Sequence, residues 1–246
     1  MPEQIIQFLQ ALGTALQGLV QNTVDEQSLE LFQSVVQWSA ILLSALAGTY
    51  DARKRGMDYF GMLVIAFVVC VGGGTIRDML LGRFPIFWLS TPIYLLTVLV
   101  VSVFGQFIER GAEKGDKIAG QIARPVARMV VQQSSLYIMI DALALGLWAY
   151  LGTTYALEEG VPPVIAPVLG VITAVFGGVL RDVFFARIPQ QFLPGQFYAM
   201  AAASGAIAYA ILWSFGLGGT AGFLACIAVT FVVRVASVKF NLVSSG

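Results

Sequence analysis

An arginine and an aspartate stand side by side twice in this chain, each time just after a glycine run in a strongly apolar stretch. The first occurrence is Gly72-Gly73-Gly74-Thr75-Ile76-Arg77-Asp78, continuing to Gly82-Arg83-Phe84-Pro85. The second is Gly177-Gly178-Val179-Leu180-Arg181-Asp182, continuing to Arg187-Ile188-Pro189. The two superpose at an offset of 104 residues without a gap. A charged residue at the bilayer centre costs about 2.5–3.5 kcal/mol on insertion scales, so such residues are expected to be paired or to face water. Glycines and buried charge written twice point to permeation or transport rather than to bond making.

The glycines admit two readings. A helix break in hydrocarbon frees backbone groups that must be buried in protein or line water. Carbonyls at the C-terminal end of a half-helix carry partial negative charge and suit a cation losing part of its shell. Alternatively, the glycines only let a neighbouring helix come close. The expectation adopted is that Gly72, Gly73 and Gly74 break the second span, and Gly177 and Gly178 the fifth, at a pore. Neighbours at i and i+1 do not face each other on a helix. The spacing therefore predicts that neither Arg-Asp pair closes on itself. It predicts pairing across the copies, Arg77 with Asp182 and Arg181 with Asp78. Such pairs are either a structural bolt or part of a pore field, where an arginine raises a barrier to cations and acts as a gate. Asp141 is a lone carboxylate in the fourth apolar segment, and its repeat mate is the neutral Gln37. It is a candidate to face the pore or to pair with Arg77 or Arg181. Arg83 and Arg187 read as segment-end anchors whose heads snorkel to the interface.

These residues sit in a chain of 246 residues that is 58% hydrophobic and 11% charged, with mean hydropathy +0.82. A soluble domain carries about 25% charged residues, so this chain belongs in lipid. The formal net charge is zero, which leaves no basic field for nucleic acid. Cys70 and Cys226 lie in apolar runs and imply neither a disulfide framework nor a metal site. Histidine is absent, and with it any Ser/His/Asp or Cys/His set, so a hydrolytic enzyme is disfavoured and no cofactor is expected. The start, Met1-Pro2-Glu3-Gln4, lacks the cationic region of a secretory signal.

Residues 4–21 alternate apolar and polar at helical spacing, which predicts an amphipathic helix lying in the interface or on a neighbour. Seven apolar segments follow, at about 31–50, 59–81, 92–108, 134–153, 164–185, 197–215 and 220–238, each near the ~20 residues a bilayer demands. Trp38, Trp88, Trp148 and Trp213 mostly fall near their ends, as an aromatic belt does. The expected organisation is an N-terminal amphipathic segment (1–30), a three-helix repeat (31–108), a cytoplasmic linker (109–133), a second three-helix repeat (134–215) and a seventh helix with a tail (216–246). Further matches at the offset of 104 are Gly48 with Gly152, Thr49 with Thr153, Gly56 with Gly160 and Tyr94 with Tyr198. An odd number of spans per copy makes the second copy enter from the opposite side, so the repeats are inverted. Cations set orientation. Arg53-Lys54-Arg55 aligns with Leu157-Glu158-Glu159, the same loop with its sign exchanged. Arg110, Lys114, Lys117, Arg124 and Arg128 fill the linker, and Arg234 and Lys239 lie at the C-terminal end. This predicts an N-terminus outside and a C-terminus in the cytoplasm of a bacterial or archaeal inner membrane. The linker is also a candidate for anionic lipid headgroups.

The duplicated motif and the three-plus-three-plus-one layout resemble the prokaryotic trimeric intracellular cation (TRIC) channel family, a group also known under a glycine-transporter domain name. The resemblance covers about residues 30–240 and rests on Gly72 to Asp78 and Gly177 to Asp182. It implies an all-α membrane protein with kinked second and fifth helices, a homotrimer with one pore in each protomer, and conduction of K⁺ and, less selectively, Na⁺. The second copy departs from the first in carrying Phe176 where the first has Gly72. Two other classes of function remain open. One is a secondary transporter for glycine or another small amino acid, with an arginine holding the carboxylate. The other is a scaffold with no flux.

Overall fold

The computed structural model describes residues 26–113, 121, 135–195 and 197–242. The expected amphipathic helix at 4–21 and most of the 109–133 linker lie outside these residues. Eight helices and no strand occur among the described residues: α1 (Glu26–Lys54), α2 (Tyr59–Leu81), α3 (Phe87–Ser90), α4 (Ile93–Glu113), α5 (Ser135–Glu158), α6 (Ala166–Phe184), α7 (Ala199–Ser214) and α8 (Thr220–Lys239). One turn of 3₁₀ helix, Gln190–Phe192, follows α6. Among the described residues, four helices are long and apolar enough to cross a membrane: Tyr59–Leu81, Ile138–Glu158, Ala166–Phe184 and Thr220–Lys239. Ile93–Phe107 and Ala199–Ser214 are shorter apolar helices.

The helix ends follow from local sequence. Asp58 starts α2 by accepting the Gly61 N–H at 2.8 Å. At its far end Gly82 takes a left-handed φ of 67°, and Arg83 N–H returns to the Asp78 carbonyl at 2.9 Å. This closes the Schellman cap, whose turn needs positive φ. After α6 the same cap is built on Ala186 (φ 51°), with Arg187 N–H on the Asp182 carbonyl at 3.0 Å. The helices α1 and α5 also end alike, at Gly56 (φ 72°) and Gly160 (φ 80°).

The expected breaks do not occur. The helix α2 runs without interruption through Gly72, Gly73 and Gly74, and α6 through Gly177 and Gly178. A glycine inside a helix costs about 1 kcal/mol against alanine, but it keeps its N–H and the ladder can close. What the glycines provide here is close approach, as described below.

The chain forms two compact units. One comprises the described residues of 38–141 and 175–193. In it α4 packs on α2, and Gly48 lies so near α2 that a Cβ on it would stand 3.0 Å from the Ala66 Cα. Ala52, Met62, Ile65 and Phe185 form an apolar cluster there. A buried polar run ties three helices of this unit. The Thr49 hydroxyl donates to the Ala45 carbonyl (2.8 Å) and meets the Ser102 hydroxyl at 3.0 Å, and the Gln106 amide donates to Ser102 (3.3 Å) and to the Tyr59 carbonyl (3.4 Å).

The other unit comprises the described residues of 1–37, 142–174 and 194–246. Here α7 packs on α8 through small residues: Ala201, Ala202, Gly205 and Ala206 are buried, and a Cβ on Gly205 would collide with the Thr230 hydroxyl. Tyr209 is fully buried, with its ring centroid 4.8 Å from that of Tyr150, and it receives a hydrogen bond from the Thr154 hydroxyl at 3.0 Å. Arg234 lies in the C-terminal half of α8, with its guanidinium 4.9 Å from the Tyr198 ring centroid.

Candidate functional site

Both motifs fall in the unit built from residues 38–141 and 175–193. The helices α2 and α6 approach each other there at their glycines. A Cβ placed on Gly72 would stand 2.7 Å from Leu180 Cδ1 and 3.6 Å from the Gly177 Cα. A Cβ on Gly177 would run into the Val69 carbonyl oxygen. Gly73 is buried beside them. The second glycine of each pair is covered from the loop that follows: Gly74 by the Phe87 ring, at 2.6 Å from a notional Cβ, and Gly178 by the Gln191 amide nitrogen, at 2.5 Å. Both covering residues sit at the repeat offset of 104.

One turn further along, the charges are buried. Arg77, Asp78, Arg181 and Asp182 expose only 3%, 2%, 7% and 0% of their surface. Their pairing corrects the sequence expectation. Arg77 donates from Nε (2.9 Å) and Nη2 (2.7 Å) to Oδ1 of Asp78, its own neighbour. Arg181 likewise donates from Nε to Asp182 Oδ1 at 3.0 Å. The rule that i and i+1 side chains diverge applies to short side chains. An arginine has enough single bonds to curl round the helix to the next residue, and burial rewards it for doing so. Among the described residues neither aspartate is bonded by the other copy's arginine, so the expected cross-copy bolt is not what neutralises the charges.

Each aspartate also fastens the chain that follows it. Asp78 Oδ2 accepts the Phe87 N–H at 2.9 Å, the first residue of α3. Asp182 Oδ2 accepts the Gln190 N–H at 2.9 Å, the first residue of the 3₁₀ turn. Three residues at the site were not foreseen. Arg187 is not a snorkelling anchor: its Nε donates to Asp182 Oδ1 at 3.0 Å. Asp51 takes the other side of Arg181, Nη1 to Oδ2 at 3.3 Å. Gln191 covers Gly178. Of these only Arg187 left a trace in the sequence, as a repeated position two residues before proline. Asp141 is half-buried in α5, in the same unit as the motifs.

The motif copies are bordered differently. On the first, Trp88 Nε1 donates to the Thr75 hydroxyl at 3.1 Å, and Phe87 and Trp88 meet Tyr94 and Phe67 edge-on at 5.7 and 5.1 Å. On the second, the Phe185 ring is flanked by Arg55 at 4.4 Å and Arg187 at 5.4 Å.

The sequence model of a family described as "Glycine transporter" matches this chain twice, at residues 34–110 and 138–214. The two matches begin and end 104 residues apart, as the motifs do. The chain is similar to "UPF0126 inner membrane protein YadS" of Escherichia coli (strain K12), 31% identical over 212 residues that make up 85% of this chain and 94% of the relative. It is also similar to a "UPF0126 membrane protein" of Vibrio cholerae serotype O1, 30% identical over 198 residues, 80% of this chain and 75% of that one. Among solved structures, the TRIC trimeric intracellular cation channel orthologue from Rhodobacter sphaeroides matches with TM-score 0.68 and 34% identity, over 86% of this chain and 99% of that one. A second TRIC cation channel structure matches with TM-score 0.73 and 25% identity, over 87% and 96% of the two chains.

Proposed function

This chain belongs to the TRIC cation channel family, to which the "Glycine transporter" sequence model also corresponds, and on that premise we propose that it is a K⁺-permeable monovalent cation channel with one pore inside each protomer of a homotrimer. The observation that carries the reading is the likeness to the Rhodobacter sphaeroides channel over 99% of that chain at 34% identity. The chain crosses the membrane seven times, as two inverted three-helix repeats plus one helix, with its N-terminus outside and its C-terminus in the cytoplasm. Lipid covers its outer apolar faces. The double match of the family model at the offset of 104 supports the repeat, and the cations at 53–55 against Glu158 and Glu159 support the inversion.

In this reading the glycines bring α2 and α6 together beside the path. Arg77, Asp78, Arg181 and Asp182 shape its field as neutralised pairs, not as bare charges, and Asp141 adds a carboxylate. A passing cation then meets dipoles strong enough to admit it and weak enough to release it. The glycine-carrier reading loses its two supports. A carrier of that kind grips its substrate with the ends of discontinuous helices, whereas α2 and α6 are continuous. The guanidinium that would hold a substrate carboxylate is already engaged by an aspartate in both copies.

Proteoliposomes carrying the purified protein test the choice. The expected result is rapid, non-saturating K⁺ efflux with no glycine accumulation. Saturable glycine uptake with no K⁺ leak would overturn it.

A further inference from the structure

We propose that the side-chain oxygen of Gln191 is a direct ligand of the permeating monovalent cation, so that the second copy's Gly178–Gln191 contact sets the step at which the ion sheds water. The proposal rests on the channel reading above and names a residue within it.

The two copies present equivalent positions with opposite chemistry. Phe87 and Gln191 lie at the offset of 104, and each covers the second glycine of its motif. Phe87 is closed in by aromatic contacts with Tyr94 and by the Arg77 guanidinium 5.7 Å from its ring centroid. It offers a permeating ion no oxygen. Gln191 turns its nitrogen onto Gly178, where the missing Cβ leaves room for it. Its Oε1 is buried and accepts no hydrogen bond among the described residues. Buried acceptors are almost always satisfied, and an exception calls for a water or an ion.

The surroundings select the class of ion. The neighbouring Gln190 N–H holds Asp182, and Asp182 is held in turn by Arg181 and Arg187. Arg181 also reaches Asp51. Two arginines and two aspartates leave the cluster formally neutral. A neutral amide oxygen beside a neutral cluster cannot repay a divalent cation for its water, since Ca²⁺ and Mg²⁺ sites are built on carboxylates. It can replace one water of a monovalent ion and let the ion leave.

The test is single-channel recording in KCl with wild type, Gln191→Leu and Gln191→Glu. Gln191→Leu removes the oxygen and is expected to lower unitary K⁺ conductance by on the order of threefold or more. Gln191→Glu keeps the shape, adds charge, and is expected to make the current sensitive to block by millimolar Ca²⁺. Should Gln191→Leu fail to assemble, the near-isosteric Gln191→Glu decides by itself. Wild-type steps with unchanged conductance in Gln191→Leu and no Ca²⁺ block in Gln191→Glu overturn this proposal and leave the channel reading standing. Absence of steps in the wild type overturns the channel reading and this proposal with it.

Discussion

The two copies of the motif solve one problem with unequal parts. In the first, a single arginine neutralises Asp78, glycine makes the turn at Gly82, and aromatic rings border the site. In the second, Asp182 takes two arginines, Ala186 makes the same left-handed turn, and Gln191 stands where the aromatic ring was. What the copies share is therefore what the architecture requires: glycines where helices touch, a carboxylate that neutralises the adjacent arginine, and the same carboxylate pinning the next short helix. What differs is free to serve function. The contrast places mechanical duty on Asp78 and Asp182, and under the proposed channel reading it leaves specificity to the residues around them.

The largest expected effect separates the two carboxylates. Removing one partner of a buried ion pair costs about 3–5 kcal/mol, because the other charge is left uncompensated. Asp182→Ala removes the carboxylate that both Arg181 and Arg187 hold, leaving Arg181 with Asp51, while Asp78→Ala removes a carboxylate held by Arg77. Both variants should lower the midpoint of thermal unfolding in detergent, and Asp182→Ala should lower it more. Equal shifts would mean that Arg187 contributes nothing to the cluster.

A smaller effect tests the helix contact. Gly177→Ala puts a methyl group against the Val69 carbonyl, which is backbone and cannot swing away. Overpacking of this kind costs about 1–3 kcal/mol. Gly72→Ala crowds the end of the Leu180 side chain and reaches the Gly177 Cα only at ordinary contact distance, so its shift in the same assay should be the smaller of the two. A reversed order would show that α2 and α6 adjust as rigid bodies.

The smallest effect concerns the turns. Left-handed conformation costs a non-glycine residue about 1–2 kcal/mol. Gly82→Ala should therefore destabilise the first copy by about that amount, and Ala186→Gly should relieve a similar strain in the second. The pair of unfolding midpoints should move in opposite directions.

Much of the helical layout was legible in the sequence, because hydrophobic run length is dictated by the bilayer. The second segment, 59–81, coincides with α2, and the last, 220–238, falls one residue short of α8. Where the reading stopped early, polar residues had continued the helix: α1 runs on through Asp51, Arg53 and Lys54 until Gly56 turns it. A hydropathy window cannot see that, although the Gly56–Gly160 match marked both ends. The motif residues stood out in the sequence as well, but their pairing was mistaken. Helix geometry gives the direction of Cβ, not the reach of a guanidinium, so Arg77–Asp78 was expected to point apart. Continuous helices through the glycines were missed for a related reason. A glycine run looks like a break until the neighbour that fills its surface is known, and here those neighbours, Leu180 and Val69, lie far away in sequence. Asp51 and Gln191 gave no signal, since nothing in their own segments requires them.

The central claim is that neutralised motif pairs line a cation path, and a reversal potential tests it most directly. Purified protein in a planar bilayer under a tenfold KCl gradient should give discrete current steps that reverse toward the K⁺ equilibrium potential, about 59 mV for a fully cation-selective pore. Steps that reverse at zero, or on the chloride side, would contradict the account.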